Sequence, residues 1–256
     1  MAEIFYCDPD VAQLFGENAG GCEFWLKAEI GRQLSSERAE RELRFVEADG
    51  QKFFLKRNGI ESICHSLPML FCGLRPRSGV LRELLLLQCL KKSGFDVMEP
   101  AAWGEASAGF FSLRSFLLVR NVEGIDAGKY YRNATSAERR VLLEKTGELT
   151  GRVHAAGFFQ AIRLKDLIYN NGQLTIIDRE TYRPWKDRFK KQRCIAALER
   201  AVRRTVRDGH QFDAAGIRGF LKGYVRGVSC RWTVTPRELF RLVSVRVKKQ
   251  RGIHDH

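Results

Sequence analysis

Short apolar runs that alternate with polar residues mark the first half of the chain. RELRFV at 41–46, KFFLK at 52–56 and SFLLV at 115–119 each have the length and composition of a strand. The Asp-Gly pair within 47–51 predicts a tight turn between the first two strands. VLRELLLLQCLK at 80–91 has the apolar spacing of a helix. We therefore predict a small lobe of three to five strands and one long helix.

The remaining parts of this half are less regular. Residues 1–35 contain several glycines between short apolar pieces and predict loops, a short helix and the first strand. Residues 57–78 carry two prolines and predict a loop with short helical turns. Residues 121–126 read as a linker into the second half.

Helical spacing dominates the second half. Thr135 followed by Glu138 is typical of a helix N-terminus, and the apolar spacing extends this helix to about Ala156, where Gly157 ends it. After Pro184 nearly all of the chain reads as helix, and the predicted ranges are 187–208, 213–224 and 236–250.

A hairpin follows the long helix. Leu167–Tyr169 and Leu174–Ile177 are apolar runs, and the Asn-Gly pair between them favours a short turn. Asp178 follows the second run directly, and Asp166 stands twelve residues earlier in a loop. Phosphoryl-transfer enzymes hold Mg²⁺ against a nucleotide with carboxylates in this arrangement. We therefore predict Asp166 and Asp178 as metal ligands.

Net charge and cysteine usage narrow the functional class. The 256 residues carry a formal charge of +14, which favours an anionic partner: nucleic acid, an acidic membrane face, or a phosphorylated or carboxylated substrate. A merely basic surface is the alternative. The seven cysteines are scattered and never spaced C-x-x-C, as expected of free thiols in a reducing compartment. The N-terminus lacks a signal core, and the longest apolar run, 84–87, is too short to span a membrane. We therefore expect a cytoplasmic protein.

Two further residues suggest nucleotide chemistry. Lys56 ends a strand, as does the lysine that grips nucleotide phosphates, and Glu83 on the next helix suits the acid that orients such a lysine. Taken singly, Lys56 could be an exposed strand end and Glu83 part of a solvated face. Strand-lysine, helix-glutamate, linker and helix–loop–hairpin–aspartate together follow the order of protein-kinase-like folds. We predict a bilobal α+β fold of this kind, with a β-rich N-lobe over 1–120 and a larger helical C-lobe over 121–256.

At this point the sequence resembles the Kdo/heptose kinases of the lipopolysaccharide core, within the protein-kinase-like superfamily. The resemblance covers about residues 28–225. Its carriers are FFLKRNGIESICHSLPML, SGVLRELLLLQCLKKSGFDVMEPAAWGE, RSFLLVRNVEG, the helix with VHAAG, LTIIDRE and, more weakly, FLKGY.

The resemblance implies the cofactors, the site and the partner. Lys56 and Glu83 would form the phosphate-gripping pair and Asp178 would bind Mg²⁺. Adenine of ATP would contact backbone at Arg120, Asn121 and Val122, and Gly31 is the one glycine placed to belong to a phosphate-covering loop. The acceptor would be a sugar hydroxyl of lipopolysaccharide core, an anionic glycolipid, with peripheral contact at the cytoplasmic face of the inner membrane.

One departure from the kinase pattern concerns the catalytic base. If Asp166 takes the metal-holding position of a kinase catalytic loop, Ala161 stands where an aspartate accepts the substrate proton. A shift of one residue places Ile162 there. Three outcomes stay open: a slow or rewired kinase in which Asp166 or another group substitutes, a nucleotide-binding pseudokinase, or a scaffold that binds glycolipid without turnover.

Two weaker candidates complete the analysis. His154, near the end of the long helix, is typical of a structural histidine in this superfamily rather than of a catalytic one. The Arg/Lys-rich helices could bind nucleic acid, but they contain no recognised module. We therefore expect no nucleic-acid partner.

Overall fold

The structure is a computed structural model that describes residues 3–38, 41–178, 183–209 and 212–254. The chain divides into two compact units, and neither is continuous in sequence. The sequence predicts a single boundary between 120 and 121. In the structure, a short segment of each half of the chain also belongs to the unit that the other half mainly forms. The first unit contains Met1–Lys92, Val97–Val122 and Asp178–Trp185, and the second contains Ser93–Asp96, Glu123–Ile177 and Lys186–His256.

An antiparallel sheet of six strands forms the first unit. The strand order is β1-β5-β6-β4-β3-β2. The bounds are Ile4–Cys7 for β1, Arg32–Arg38 for β2, Arg41–Ala48 for β3, Gln51–Ser62 for β4, Pro100–Gly109 for β5 and Ser112–Arg120 for β6. The prediction of three to five strands was wrong, because β1 has only four residues and β2 is a polar edge strand without an apolar alternation.

The turn between β3 and β4 confirms the Asp-Gly prediction. Asp49 and Gly50 both adopt positive φ, 47° and 71°, which the two central residues of a type I′ turn require. The strands continue in register on both sides, with Val46 opposite Phe53.

The described residues of the first unit form three α-helices and two 3₁₀ helices. The sequence predicts the long helix, a short helix within 1–35 and short helical turns within 57–78, and the structure contains all of these. Residues 1–35 contain a second short α-helix, which was not predicted because helices of one to two turns are too short to show an apolar period. The α-helices are α1 at Pro9–Phe15, α2 at Cys22–Lys27 and α3 at Gly79–Lys92, and the 3₁₀ helices span Glu17–Gly20 and Ile63–Cys72. Trp25 of α2 is fully buried and stacks on Phe116 with the ring centroids 5.8 Å apart, which fixes α2 against the sheet.

The described residues of the second unit form a small sheet, five α-helices and a 3₁₀ helix at Leu164–Asp166. The strands lie in the order β7-β8-β9 and span Ile125–Asp126, Leu167–Asn170 and Gln173–Ile176. The helices are α4 at Ala127–Asn133, α5 at Ser136–Ala155, α6 at Lys191–Arg207, α7 at Ala214–Val228 and α8 at Pro236–His254. The first of the three predicted C-terminal helices thus begins four residues later than expected, and the second continues four residues further. No helix in the described part of the chain is long and apolar enough to cross a membrane.

Local signals correctly predict the long helix and the hairpin of this unit. Thr135 and Glu138 form a reciprocal capping box at the start of α5, which satisfies two otherwise unpaired backbone donors. Asn171 and Gly172 both adopt positive φ in the turn between β8 and β9. His154 is fully buried and hydrogen-bonds to the Tyr224 hydroxyl and the Gln160 carbonyl oxygen, each at 2.8 Å, which fits the predicted structural role.

Glycines allow α5 and α7 to approach each other closely. A Cβ atom added at Gly147 of α5 would overlap the carbonyl oxygen of Phe220, and one added at Gly223 of α7 would overlap that of Glu144. Because both backbones lie at the contact, no larger side chain fits there without moving the helices apart.

The cysteines provide a direct test of the core packing of each unit. Cys22 and Cys194 are fully buried, and burial raises the pKa of Cys22 to about 12 and that of Cys194 to about 11, whereas Cys64 and Cys230 are exposed. Since the thiolate is the nucleophile, we expect maleimide at neutral pH to modify Cys64 and Cys230 at least about 100-fold faster than the buried pair. Peptide mass spectrometry after timed quenching measures the rates, with denatured protein as control. Equal native rates for Cys64 and Cys194 would contradict the packing.

Candidate functional site

Lys56 projects from the centre of the sheet in the first unit. It lies on β4, opposite Leu43 of β3 and Leu117 of β6. Phe53 and Leu55 point into the core, and because side chains alternate along a strand, Lys56 points to the other face. Its side chain is 22% exposed, so the ammonium group is partly shielded from water yet accessible.

Glu83 of α3 pairs with this lysine. Lys56 Nζ donates a hydrogen bond to Glu83 Oε1 at 2.5 Å, across 27 residues of sequence. The Glu83 side chain is only 7% exposed. A carboxylate so deeply buried needs a cation beside it, because an unpaired charge there would be costly. The pair therefore fixes both the lysine and the helix.

Asp178 is the second carboxylate beside Lys56. Its Oδ1 lies 3.7 Å from Lys56 Nζ, and its side chain is 55% exposed. Asp178 lies two residues after the end of β9. Between them, the N–H of Ile177 donates a hydrogen bond to the Asp166 carbonyl oxygen at 3.0 Å. The residues that directly follow Asp178, 179–180 of the LTIIDRE piece, lie outside the described residues.

The two carboxylates determine the ionisation of Lys56. Burial by itself lowers the pKa of Lys56, but attraction to Glu83 and Asp178 more than offsets this effect, so its pKa lies above that of an ordinary lysine. The stabilisation from the pair is therefore complete at neutral pH. Deprotonation of Lys56 removes it in alkaline solution, as the pH rises through the raised pKa.

Lys56, Glu83 and Asp178 line one cavity of about 250 Å³. The structure thus brings together three of the four residues that the sequence predicts as catalytic. A fixed cation beside an exposed carboxylate suits a phosphate group and an oxygen-bound metal ion. The cavity has other lining residues that were not predicted from the sequence, among them Arg41, Glu42 and Asn58.

Glu42 and two arginines connect this cavity to the segment before β2. Arg57 is buried and donates to Glu42 at 3.2 Å and to the Trp25 carbonyl oxygen at 2.6 Å. Arg44 donates to the other oxygen of Glu42 at 2.6 Å and to the Ile30 carbonyl oxygen at 2.7 Å. The sequence does contain a signal for this network, since Arg57 occupies a core-facing position of a strand in phase with Phe53 and Leu55.

Gly31 does not lie in a turn between two strands. It precedes β2, whose first residue, Arg32, pairs with Phe45 of β3. Gly31 adopts φ +66°, and a Cβ atom there would overlap the Phe45 carbonyl oxygen. The requirement for glycine therefore comes from packing on β3, and membership of Gly31 in a phosphate-covering loop stays a prediction of the sequence. The turn that does join β2 to β3 contains residues 39–40, outside the described residues.

Arg120, Asn121 and Val122 follow the last strand of the sheet. The N–H groups of Arg120 and Asn121 bond to the carbonyl oxygens of Glu99 and Lys52, at 2.9 and 2.8 Å. Within the described part of the chain the N–H of Val122 makes no hydrogen bond. One backbone donor at this position is thus available to a ligand.

Asp166 belongs to the second unit and is held by Arg163. The guanidinium donates to both carboxylate oxygens, at 2.7 and 3.0 Å, and the Arg163 N–H donates at 3.0 Å. The Asp166 side chain is 2% exposed. These contacts shape the loop that precedes β8, and the metal-binding role of Asp166 stays a prediction of the sequence.

Neither possible register supplies a base in this loop. Ala161 is 4% exposed and Ile162 is 3% exposed, and neither side chain can accept a proton. In either alignment, a buried apolar side chain therefore stands where the kinase pattern has a proton-accepting aspartate.

Comparison with known proteins adds a family and a fold. The family model described as "Lipopolysaccharide kinase (Kdo/WaaP) family" matches residues 25–224. No curated protein matches the chain. A solved structure described as "WaaP in complex with acyl carrier protein" is similar to this chain, with a TM-score of 0.64 and 17% sequence identity over 96% of this chain and 98% of that one. Likeness at this identity shows the fold alone, and it confirms the predicted α+β, protein-kinase-like class.

Proposed function

Because the chain belongs to the Kdo/WaaP family of lipopolysaccharide kinases, we propose that it transfers the γ-phosphoryl group of ATP to a sugar hydroxyl of lipopolysaccharide core. The observation that carries this proposal is the convergence of Lys56, Glu83 and Asp178 on one cavity. Phosphoryl transfer depends mainly on positioning and on neutralising charge. A partly buried, oriented lysine beside an exposed carboxylate can contribute to both.

Each of these residues has a defined role in the proposal. Lys56 binds the α- and β-phosphates, and Glu83 keeps its ammonium group directed into the cavity. Asp178 suits Mg²⁺, because this ion is usually held by one or two carboxylates together with substrate phosphates, and the Asp178 side chain is half exposed. When bound, Mg²⁺ would neutralise negative charge on the phosphates.

The adenine ring would contact the backbone after β6. The available N–H of Val122 is the donor, and neighbouring carbonyl oxygens are the acceptors. The side chain of Arg120 does not take part, since it is held by Asp8 and Asp10 at 3.1 and 2.7 Å.

A pseudokinase is the second candidate function. Ala161 and Ile162 favour it, because neither offers a proton acceptor where the kinase pattern needs one. In that case the same cavity binds nucleotide, and the protein acts as a binding or regulatory module without phosphate transfer.

The proposed partner and location follow from the substrate. Lipopolysaccharide core is an anionic glycolipid, and a chain of charge +14 is attracted to it and to the anionic cytoplasmic face of the inner membrane. We place the protein in the cytoplasm, in peripheral contact with that face.

Nucleotide thermal-shift measurements test the binding step. At 100-fold saturation we expect ATP with Mg²⁺ to raise the melting temperature by about 5–10 °C, and ATP without Mg²⁺ or Mg²⁺ alone to raise it much less. No shift with any nucleotide, with or without Mg²⁺, would contradict both candidate functions. A shift without phosphate transfer to any core acceptor would favour the pseudokinase.

A further inference from the structure

Most of the exposed large apolar side chains of the first unit lie in one region. Nine such side chains are exposed among its described residues, and seven of them lie on the second 3₁₀ helix with its flanks and on the turn between β5 and β6. We call these seven the apolar tip: Ile60, Leu67, Leu70, Phe71, Leu74, Phe110 and Phe111. Contiguous apolar surface of this kind usually marks an interaction site.

The two segments of the apolar tip are joined by backbone contacts. Ser62 pairs with Ser112 at the ends of β4 and β6, and the N–H of Ile63 donates to the Phe111 carbonyl oxygen at 3.0 Å. The rings of Phe110 and Phe111 pack edge to face with centroids 5.3 Å apart. The helix and the turn therefore belong to one surface.

The spacing of residues in the 3₁₀ helix explains why it is apolar on more than one side. Ile63, Ser66 and Met69 are buried and recur every third residue, which is one face of a helix with three residues per turn. Leu67 and Leu70 have the same spacing one position further along, and they are 39% and 55% exposed. The buried face already attaches the helix to the unit, so packing within the unit does not require these leucines.

The charge around the apolar tip suits an anionic surface. Glu61 is the one acidic residue within 60–75 and 109–112. It is turned inward, accepts the Gly79 N–H at 2.9 Å and lies 3.6 Å from Arg82. Arg75 directly follows the apolar tip and is exposed.

We infer that the apolar tip inserts into the headgroup layer of a bilayer that contains anionic phospholipid. Phe71 and Phe110 are 94% and 91% exposed, so their rings protrude, which suits a deformable lipid layer. Anchors at protein–protein interfaces are more often enclosed by a surrounding rim. The inference rests on the proposed function, because the acceptor sugar is attached to a lipid, and it adds which surface meets the membrane.

Vesicle sedimentation with three forms of the full chain tests this inference. The wild type is compared with Phe71→Ser/Phe110→Ser and with Phe240→Ser/Val245→Ser, a matched control that removes two exposed apolar side chains from the basic helix α8. The vesicles are phosphatidylethanolamine with or without phosphatidylglycerol. We expect the tip variant to lower partitioning onto the anionic vesicles at least about tenfold and the control to lower it less than about threefold. Melting temperatures of all forms should agree, since the altered side chains are exposed.

Every other outcome overturns the inference. These outcomes are no binding of wild type to anionic vesicles at low salt, equal binding by the tip variant, loss of binding in the α8 control alone, and a self-associating wild type whose tip variant is monomeric by light scattering. The nucleotide thermal shift is recorded on the same samples. Absence of this thermal shift would refute the proposed function, whereas the vesicle result could still be interpreted by itself.

Discussion

Lys56→Met is expected to lower ATP-dependent phosphate transfer by at least about 10²-fold and to remove most of the nucleotide thermal shift. The reason is that this substitution deletes the cation fixed beside the phosphate site, and loss of one such electrostatic contact typically costs 10²–10³ in rate. Both readouts are needed, because a binding module without turnover would show only the second. Asp178→Ala should behave in the same way, with loss of the Mg²⁺ dependence as its own signature.

A loss of stability could produce the same result, so the design includes a double variant. Lys56→Met alone removes the cation from the buried Lys56–Glu83 pair, and breaking a buried ion pair in this way typically costs about 3–5 kcal/mol of folding free energy. Lys56→Met/Glu83→Gln removes both charges, and we expect it to recover most of that stability but none of the nucleotide binding. Lys52→Met, an exposed lysine on the same strand, is the matched control and should retain both properties. Normal nucleotide binding by the folded double variant would refute the proposed role of Lys56 in binding the nucleotide phosphates.

Ala161→Asp is expected to raise the rate of phosphate transfer about 10²–10⁴-fold, the contribution that a positioned general base usually makes. The gain requires that position 161 be the base position of the catalytic loop and that the rest of the site be intact. Transfer of radiolabelled phosphate from ATP to purified lipopolysaccharide core acceptors measures it. Because Ala161 is buried, some loss of thermal stability should accompany the gain.

Ala161→Asn is the control for this gain, since it has nearly the same size as aspartate and cannot accept the proton. It should leave the rate unchanged while lowering stability. If Ala161→Asp binds nucleotide yet transfers no faster than Ala161→Asn, then position 161 does not supply the base. If neither variant transfers phosphate although both bind nucleotide, the pseudokinase is the better description.

The elements that the sequence predicts correctly are those with local signals. The β3–β4 and β8–β9 turns depend on Asp-Gly and Asn-Gly pairs that tolerate positive φ, and α5 begins at a capping box. Each of these signals lies within a few residues of the structure that it specifies. The short strand β1 and the polar edge strand β2 have no such signal, because they are specified by pairing with β5 and β3.

The same distinction between local signals and contacts remote in sequence applies to the residues of the site. The sequence nominated Lys56, Glu83 and Asp178 by residue type and by the order of elements, and the family match supports that order. For Gly31 the sequence could not show why a glycine is required, because the reason is its contact with Phe45 on a neighbouring strand.

By itself, the sequence determined the chemical types available to the site, the order of the elements that carry them and the presence of an alanine at position 161. Only the tertiary structure decided that a lysine, a buried glutamate and an exposed aspartate share one cavity, and that seven apolar side chains share one surface. The physical reason is that both groupings join segments remote in sequence through β-pairing and helix packing, which no local pattern encodes.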